Sequence, residues 1–461
     1  MRTFDVVVIG AGPAGEVAAG RLAAGGLEVA IVEDRLVGGE CSFWACMPSK
    51  ALLRPYEALA EARRVEGAAE AITGSLDVQA VLERRDEIIH GLDDAGMLPW
   101  LEDLGIELLR GRGRLTGERR VEVALNDGGT EELEARRAIF LSGGTFPKVP
   151  DIPGMDDVED PWTNRDATTV KAIPDRLAIL GGGVVGCEMA QAFQTLGAQV
   201  TLIEGERKLL PREEEFACVQ VTEALEGYGV EIIMGQDATR IEQRDAVVVV
   251  TTEDGTTVEA DRVLIALGRV PDTATLGVED LGLPAGESIR VDEHCQVPGH
   301  EWLYAIGDIN GRALFTHMGK YQARIAADHV LGHDHAISHG ADGPLSPRVI
   351  FTEPQVAAVG HTEATARAAG LEVQIVETPT SGNAGGSYYG HGAIGTSRLV
   401  IDRERRLVVG ATFTGAEIAD MLHAATIAIV GEVPLDRLRH ATPSFPTRSE
   451  IWLKLLGAAG V

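Results

Sequence analysis

One pattern occurs twice in this chain, about 170 residues apart: an apolar strand, a glycine turn, a helix, and a second strand ending in an acid. In the first copy, Phe4 to Ile9 is an apolar run broken only by Asp5. Gly10-Ala11-Gly12-Pro13-Ala14-Gly15 follows, then an alanine-rich helix to Ala24, then Leu27-Glu28-Val29-Ala30-Ile31-Val32-Glu33. In the second, Leu177–Leu180 leads into Gly181-Gly182-Gly183-Val184-Val185-Gly186, a helix through Leu196, and Gln199-Val200-Thr201-Leu202-Ile203-Glu204. Continuous apolar strands of this kind are buried on both faces in a parallel sheet. The glycines Gly10, Gly12 and Gly15, and again Gly181, Gly183 and Gly186, allow a tight turn and close approach of backbone to a pyrophosphate at a helix N-terminus. Glu33 and Glu204 stand where an acid holds ribose hydroxyls. Two dinucleotide sites imply two cofactors, with electron transfer between them. Glu204 would repel a 2′-phosphate and so favours NADH over NADPH, a preference that Arg207 and Lys208 temper.

The rest of the chain has the size and chemistry to surround such sites. Its 461 residues suggest about three domains. A formal charge of −29 opposes nucleic acid and anionic membrane as partners. No apolar stretch approaches the roughly 18 residues of a membrane span. The N-terminus runs directly into strand-like sequence with no signal-peptide pattern. Five cysteines argue against a secreted disulfide framework, and the cytoplasm is the expected location. Residues 51–104 read as helical, and 107–150 as short strands with polar turns such as Asn126-Asp127-Gly128-Gly129. The Gly- and His-rich stretch 332–344 reads as a linker, and a third unit of alternating strands and helices runs from Arg348 to Val461. His333, His335 and His339 read as polar loop residues, and no metal site is assigned. The fold class is α/β: two Rossmann-like dinucleotide-binding domains and an α+β C-terminal domain.

Reactive chemistry is concentrated in Gly38-Gly39-Glu40-Cys41-Ser42-Phe43-Trp44-Ala45-Cys46-Met47-Pro48-Ser49-Lys50. Two cysteines five apart on a regular helix would be separated by about 7.5 Å of rise and about 140° of rotation. A disulfide needs Cα atoms within about 4.4–6.8 Å. A redox pair here therefore requires a break in the helix, which the flanking glycines and Pro48 favour. Phe43 and Trp44 either pack against the helix or hint at an apolar acceptor. Cys187, Cys218 and Cys295 are scattered and read as structural, and Tyr388 and Tyr389 read as a packed turn.

These two fingerprints, the Cys-x4-Cys beside Pro48-Ser49-Lys50, and the later blocks resemble the pyridine nucleotide–disulfide oxidoreductases, among them dihydrolipoamide dehydrogenase and mercuric reductase. The resemblance implies FAD in the first unit, NAD(P)H in the second, and a C-terminal dimerisation domain forming a homodimer. It divides the chain into an FAD-binding domain (1–150 and 275–345), an NAD(P)H-binding domain (151–274) and an interface domain (346–461). By the same resemblance, Cys41 and Cys46 form a redox-active disulfide, with Cys41 as the interchange thiol and Cys46 as the charge-transfer thiol. Lys50 and Glu188 match a pair near the reactive flavin edge. Gly113 matches an adenine contact, and Gly144, in Ser142-Gly143-Gly144-Thr145-Phe146-Pro147, a segment closing over FAD. Asp308, in Ala305-Ile306-Gly307-Asp308, matches the aspartate on the ribityl chain, with His317 in the contacts after it. Gly268, in Ala266-Leu267-Gly268-Arg269-Val270-Pro271, belongs to the block ending the nicotinamide domain. Phe351-Thr352-Glu353-Pro354 resembles the opening of the dimerisation domain.

One position departs from the family. Its disulfide reductases carry an acid–base histidine and, five residues on, a glutamate that orients it. Here the stretch is Pro443-Ser444-Phe445-Pro446-Thr447-Arg448-Ser449-Glu450, with phenylalanine in the histidine's place and Glu450 retained. Losing a general acid–base typically costs about 10²–10⁴ in rate. His440 substitutes only if the loop rearranges. No second cysteine pair stands near the C-terminus. The expected function is passage of hydride from NADH through FAD to Cys41–Cys46 and on to an unidentified small-molecule acceptor, which can be a disulfide. A quinone or diaphorase-type reductase using the flavin directly, and a non-catalytic redox sensor, remain alternatives.

Overall fold

The computed structural model describes all residues, 1–461. The chain forms two compact units, each assembled from three segments. Met1–Pro48, Asp86–Lys148 and Arg269–Pro344 make the first; Ser49–Arg85, Val149–Gly268 and Leu345–Val461 make the second.

In the first unit, strand Arg2–Ile9 pairs in parallel with Val29–Glu33 on one side and Thr130–Leu141 on the other. Glu107–Gly117 and His300–Ala305 extend this core in parallel at its two edges. Val6 and Val8 point to one face, where they meet Ala18, Ala19 and Leu22 of helix Pro13–Ala24 and Ala323 and Ala326 of helix Thr316–Val330. Val7 and Ile9 point to the other face, into a layer with Leu115, Val121, Val123 and Leu133. Both faces are covered, so the strand is apolar at every position from Val6 to Ile9.

The sequence reading expected short strands over 107–150. The structure instead has strands of 11, 6 and 12 residues at Glu107–Gly117, Arg120–Leu125 and Thr130–Leu141, followed by the short Thr145–Pro147. Alternation of buried Leu115, Val121, Val123, Leu133 and Ala135 with exposed polar neighbours sustains the pairing over that length. Stretch 332–344 also differs from a plain linker. Ile337 and Ala341 are buried, and Asp342 holds Arg312 at 2.5 Å.

The second unit contains the second copy of the strand–turn–helix pattern. Arg262–Ile265, Arg176–Leu180, Gln199–Glu204 and Glu231–Met234 form a parallel sheet in that order. Here Leu177 and Ile179 face one core, and Ala178 and Leu180 the other. The C-terminal segment adds a five-stranded antiparallel sheet, ordered Arg348–Ile350, Gln355–Gly360, Leu407–Gly415, Thr396–Asp402, Val373–Pro379. Helices Leu422–Val430 and Ile451–Ala458 pack on it. No helix is long and apolar enough to cross a membrane.

Buried ion pairs stitch this unit together. Arg348 binds Glu213 through two bonds of 2.6 and 2.9 Å, and Arg398 reaches Glu214 at 2.9 Å. Glu213→Ala would leave the part-buried Arg348 guanidinium without its counter-charge, a loss of about 2 kcal/mol. A fall of several degrees in melting temperature is expected. An unchanged melting temperature would show that the pair contributes nothing.

Candidate functional site

Each glycine turn is closed by a backbone approach that excludes a side chain. A Cβ on Gly15 would lie 1.9 Å from the Gly10 carbonyl oxygen, and one on Gly186 would lie 1.8 Å from that of Gly181. Gly10 and Gly181 have φ of +101° and +106°, which glycine adopts without strain. Gly12 and Gly183 open helices Pro13–Ala24 and Val184–Thr195, and neither helix start is capped by a side chain. The first-turn N–H groups are therefore presented to an anion.

The acids do more than the sequence reading assigned them. Glu33 accepts hydrogen bonds from the N–H groups of Ala11 and Arg35, both at 2.8 Å. Glu204 does the same with Gly182 and with Glu206, the latter at 2.8 Å. Burial raises the pKa of Glu33, and the two N–H bonds work against that rise. Each carboxylate fixes its own glycine turn, and its remaining lone pairs can still accept ribose hydroxyls.

Around the first turn, Asp308 is half-buried, and the Thr145 hydroxyl donates to it at 3.1 Å. Burial raises the Asp308 pKa against the opposing charge of Arg269. Arg269 clamps Thr145, donating to its hydroxyl and its carbonyl at 2.6 Å each, and lies 3.4 Å from Glu40. Sequence reading placed Arg269 only as a member of a block; the clamp follows from pairing of Arg269–Pro271 with Thr145–Pro147. Gly144, with φ of +73°, accepts from the Asp272 N–H at 3.1 Å. Gly113 is buried where a Cβ would come within 3.1 Å of Ile9, so close packing alone accounts for glycine there. His317 is exposed, stacked on Phe315 at 5.4 Å. In the second unit Gly268 has φ of +104° with open space beside it. Uncapped helix starts, side-chain-free turns and a half-buried aspartate bonded to a hydroxyl all fit dinucleotides.

The cysteine segment breaks as its spacing requires. One helix covers Gly39–Phe43, another Cys46–Arg64, and Trp44–Ala45 lie outside both. Gly39, with φ of +60°, sits so close to Gly12 that a Cβ would be 2.7 Å from its Cα. This break brings the sulfurs of Cys41 and Cys46 into hydrogen-bonding contact. Both also meet the Thr316 hydroxyl, 3.4 Å from Cys46 Sγ. All five cysteines are unbridged. The Cys46 sulfur and burial push the Cys41 thiol well up, while Thr316 and the Lys320 ammonium pull it down. Phe43 is a core side chain, with Trp44 beside it at 5.8 Å.

Lys50 lies on the same helix as Cys46, one turn further on. Its ammonium binds Glu188 at 2.7 Å and lies 4.8 Å from the centre of the Phe351 ring. Glu188 is 3% exposed and accepts the Phe351 N–H at 3.0 Å with its other oxygen, so both its oxygens are engaged.

In the C-terminal segment Phe445 is 76% exposed. The Arg448 guanidinium stacks on Tyr389 at 4.2 Å and donates to the Ala416 carbonyl, a contact the sequence reading missed. Tyr389 is thus packed, while Tyr388 is exposed. Glu450 has a buried oxygen with no hydrogen-bond partner, and His440 is exposed. Cys187, Cys218 and Cys295 are buried, and burial raises the thiols of Cys218 and Cys295 to about 11 and about 12. His335 binds Asp328 at 3.0 Å.

Comparison with known proteins agrees with this architecture. Residues 4–328 match the profile described as "Pyridine nucleotide-disulphide oxidoreductase", and 346–456 match that family's dimerisation domain. The chain is 31% identical over 456 residues to dihydrolipoyl dehydrogenase of Haloferax volcanii, covering 97% of this chain and 94% of the relative. It is 28% identical to mercuric reductase of Staphylococcus aureus, covering 97% and 81%. Among solved structures, the Cu(II) complex of the HOCl-induced flavoprotein disulfide reductase RclA from Escherichia coli aligns with a TM-score of 0.87 at 26% identity, covering 99% of each chain. LpdA from Mycobacterium tuberculosis aligns with a TM-score of 0.87 at 25% identity, also over 99% of each. The chain belongs to the pyridine nucleotide–disulfide oxidoreductase family. It is a flavoenzyme dependent on FAD and NAD(P).

Gly186→Ala would force its methyl group into the Gly181 carbonyl and reopen the second turn. Affinity for NAD(P)H, followed by fluorescence titration, is expected to fall at least about tenfold while flavin content stays normal. Undiminished affinity would mean that this turn does not hold the nicotinamide cofactor.

Proposed function

We propose that the chain reduces a disulfide-type acceptor at Cys41, using electrons that enter from NADH and pass through FAD to the Cys41/Cys46 pair. The observation that carries this reading is the pair itself: two sulfurs in contact, both on the Thr316 hydroxyl, brought together by a helix break. FAD supplies a two-electron relay when bound. Gly10, Gly12, Gly15, Glu33, Gly113, Gly144, Asp308 and His317 are proposed to hold it. Gly181, Gly183, Gly186, Glu204 and Gly268 are proposed for the nicotinamide cofactor, and Lys50 with Glu188 for the reactive flavin edge. The corresponding domains are 1–150 with 275–345, 151–274, and 346–461, the last forming a homodimer. Unbridged thiols suit a reducing compartment, and the cytoplasm is the proposed location.

Phe445 shapes the choice of acceptor. Phenylalanine neither gives nor takes a proton, so Glu450 has no histidine to orient at that position. A disulfide whose leaving thiol has a low pKa departs without acid help and is the favoured substrate class. An oxidising metal ion, such as the Cu(II) bound by RclA, would equally need no acid.

The test is an anaerobic NADH titration followed by turnover with an aryl and an alkyl disulfide. Two electrons should produce a long-wavelength charge-transfer absorbance, and the aryl disulfide should turn over faster. Cys41→Ser should abolish disulfide reduction. Full activity in that variant would instead mean that electrons reach the acceptor without the dithiol.

NADH is the proposed donor. Two N–H groups hold the Glu204 carboxylate in place, and Lys208 is engaged with Glu215 at 3.0 Å. A kcat/KM at least about tenfold higher for NADH than for NADPH is expected, narrowed by Glu204→Ala. Equal use of the two would remove the assignment.

A further inference from the structure

The Lys50–Glu188 pair is held by a residue that the proposed reaction leaves without a task. Phe351 touches both partners. Its backbone N–H donates at 3.0 Å to the Glu188 oxygen that Lys50 does not use, and its ring centre lies 4.8 Å from the Lys50 ammonium. The ring packs against the buried cluster that includes Leu53, Ile350 and Val356, so the core sets its place. The segment that carries it is pinned again further on. Gln191 lies three residues after Glu188 on helix Val184–Thr195, on the same face. Gln191 is buried, and its side-chain oxygen accepts the Glu353 N–H at 2.6 Å. The Glu353 carboxylate in turn binds Arg64 at 2.7 Å, and Lys50 and Arg64 stand on one helix, Cys46–Arg64. Two helices and segment 351–353 are thus braced at both ends.

The ion pair alone would not fix the ammonium. A charge on a four-carbon stem, bonded to one carboxylate oxygen, can still swing about that contact, and the Lys50 side chain is 34% exposed. A ring face within about 6 Å adds an attraction from a second direction. The Phe351 N–H does the same for the carboxylate, which would otherwise be free to turn.

We propose that Phe351 is a positioning residue for hydride entry: its ring fixes the place of the Lys50 ammonium, its N–H orients Glu188, and Gln191 holds the segment that carries both. This rests on the reading that Lys50 and Glu188 serve the reactive flavin edge. Phe351 exchanges no proton and no electron; it acts through the charge that Lys50 presents. A cation fixed beside a group that gains negative charge on reduction favours that reduction. Loosening the cation therefore slows hydride entry and makes the flavin midpoint potential more negative.

The experiment is anaerobic rapid mixing of the FAD-loaded enzyme with NADH, alongside the flavin midpoint potential measured by dye equilibration. Phe351→Leu keeps the backbone N–H and an apolar side chain and removes the ring. Its flavin reduction is expected to slow about tenfold, and its potential to move negative, the direction expected for Lys50→Met. Phe351→Tyr keeps a ring face and should stay within about twofold of the parent rate, with the potential unmoved. Gln191→Leu leaves the ring but releases its segment, and should move both readouts the same way by less. Reoxidation by bis(2-hydroxyethyl) disulfide should be unchanged in all three variants.

A Phe351→Leu rate within about twofold of the parent with an unmoved potential overturns the proposal, as does Phe351→Tyr being as impaired as Phe351→Leu. Should Phe351→Leu fail to bind FAD, Gln191→Leu decides on the same two readouts. If Lys50→Met keeps the parent rate and potential, the reading of the pair at the flavin edge fails first and takes the proposal with it. If Lys50→Met is impaired and Phe351→Leu is not, only the role of Phe351 falls.

Discussion

The hydrogen of Gly15 occupies a space in which a methyl group would lie 1.9 Å from the Gly10 carbonyl oxygen, and Gly186 stands in the same relation to Gly181. Every later feature of either nucleotide-binding unit depends on that approach. It lets the helix start immediately after the turn, and because the residue opening each helix is itself a glycine, Gly12 or Gly183, no side chain caps it and the helix N–H groups stay open to phosphate. It also brings the turn within reach of the acid ending the next strand. Glu33 and Glu204 then hold the turn through N–H groups of Ala11 and Gly182. In each copy, a small residue, an uncapped helix and a fixed carboxylate form one device.

The cysteine segment uses the first of these turns as its floor. Gly39 sits against Gly12, and its positive φ starts a helix that stops after Phe43. A continuous helix would have turned Cys41 and Cys46 away from each other; the interruption at Trp44–Ala45 brings their sulfurs together. Thr316 supplies a hydroxyl common to both, and Asp308, one short loop earlier, meets Thr145, which Arg269 holds in place. The backbone of the first glycine turn, proposed to hold the FAD pyrophosphate, thus also supports the cysteine segment.

Much of this was legible in the residues. The duplicated pattern identifies two parallel-sheet units because continuous apolar strands and glycine turns have few other uses. The cysteine spacing alone requires the helix break. Other features are long-range and leave no local trace. The strands over Glu107–Leu141 read as short because charged residues alternate with the apolar ones, and only pairing shows that the alternation continues. The Arg269 clamp on Thr145 and the stacking of Arg448 on Tyr389 join residues 124 and 59 positions apart.

Electron movement and proton movement make separate demands on this chain. By the proposed route electrons would use the two glycine turns, the adjacent thiols and the Lys50–Glu188 pair, each of which is built from mutually supporting contacts. Protons require only one titratable group near Cys41, held at a pKa near the working pH. Phenylalanine at position 445 supplies none, so under the proposed route the demand falls on the leaving thiol instead, which must depart without a proton.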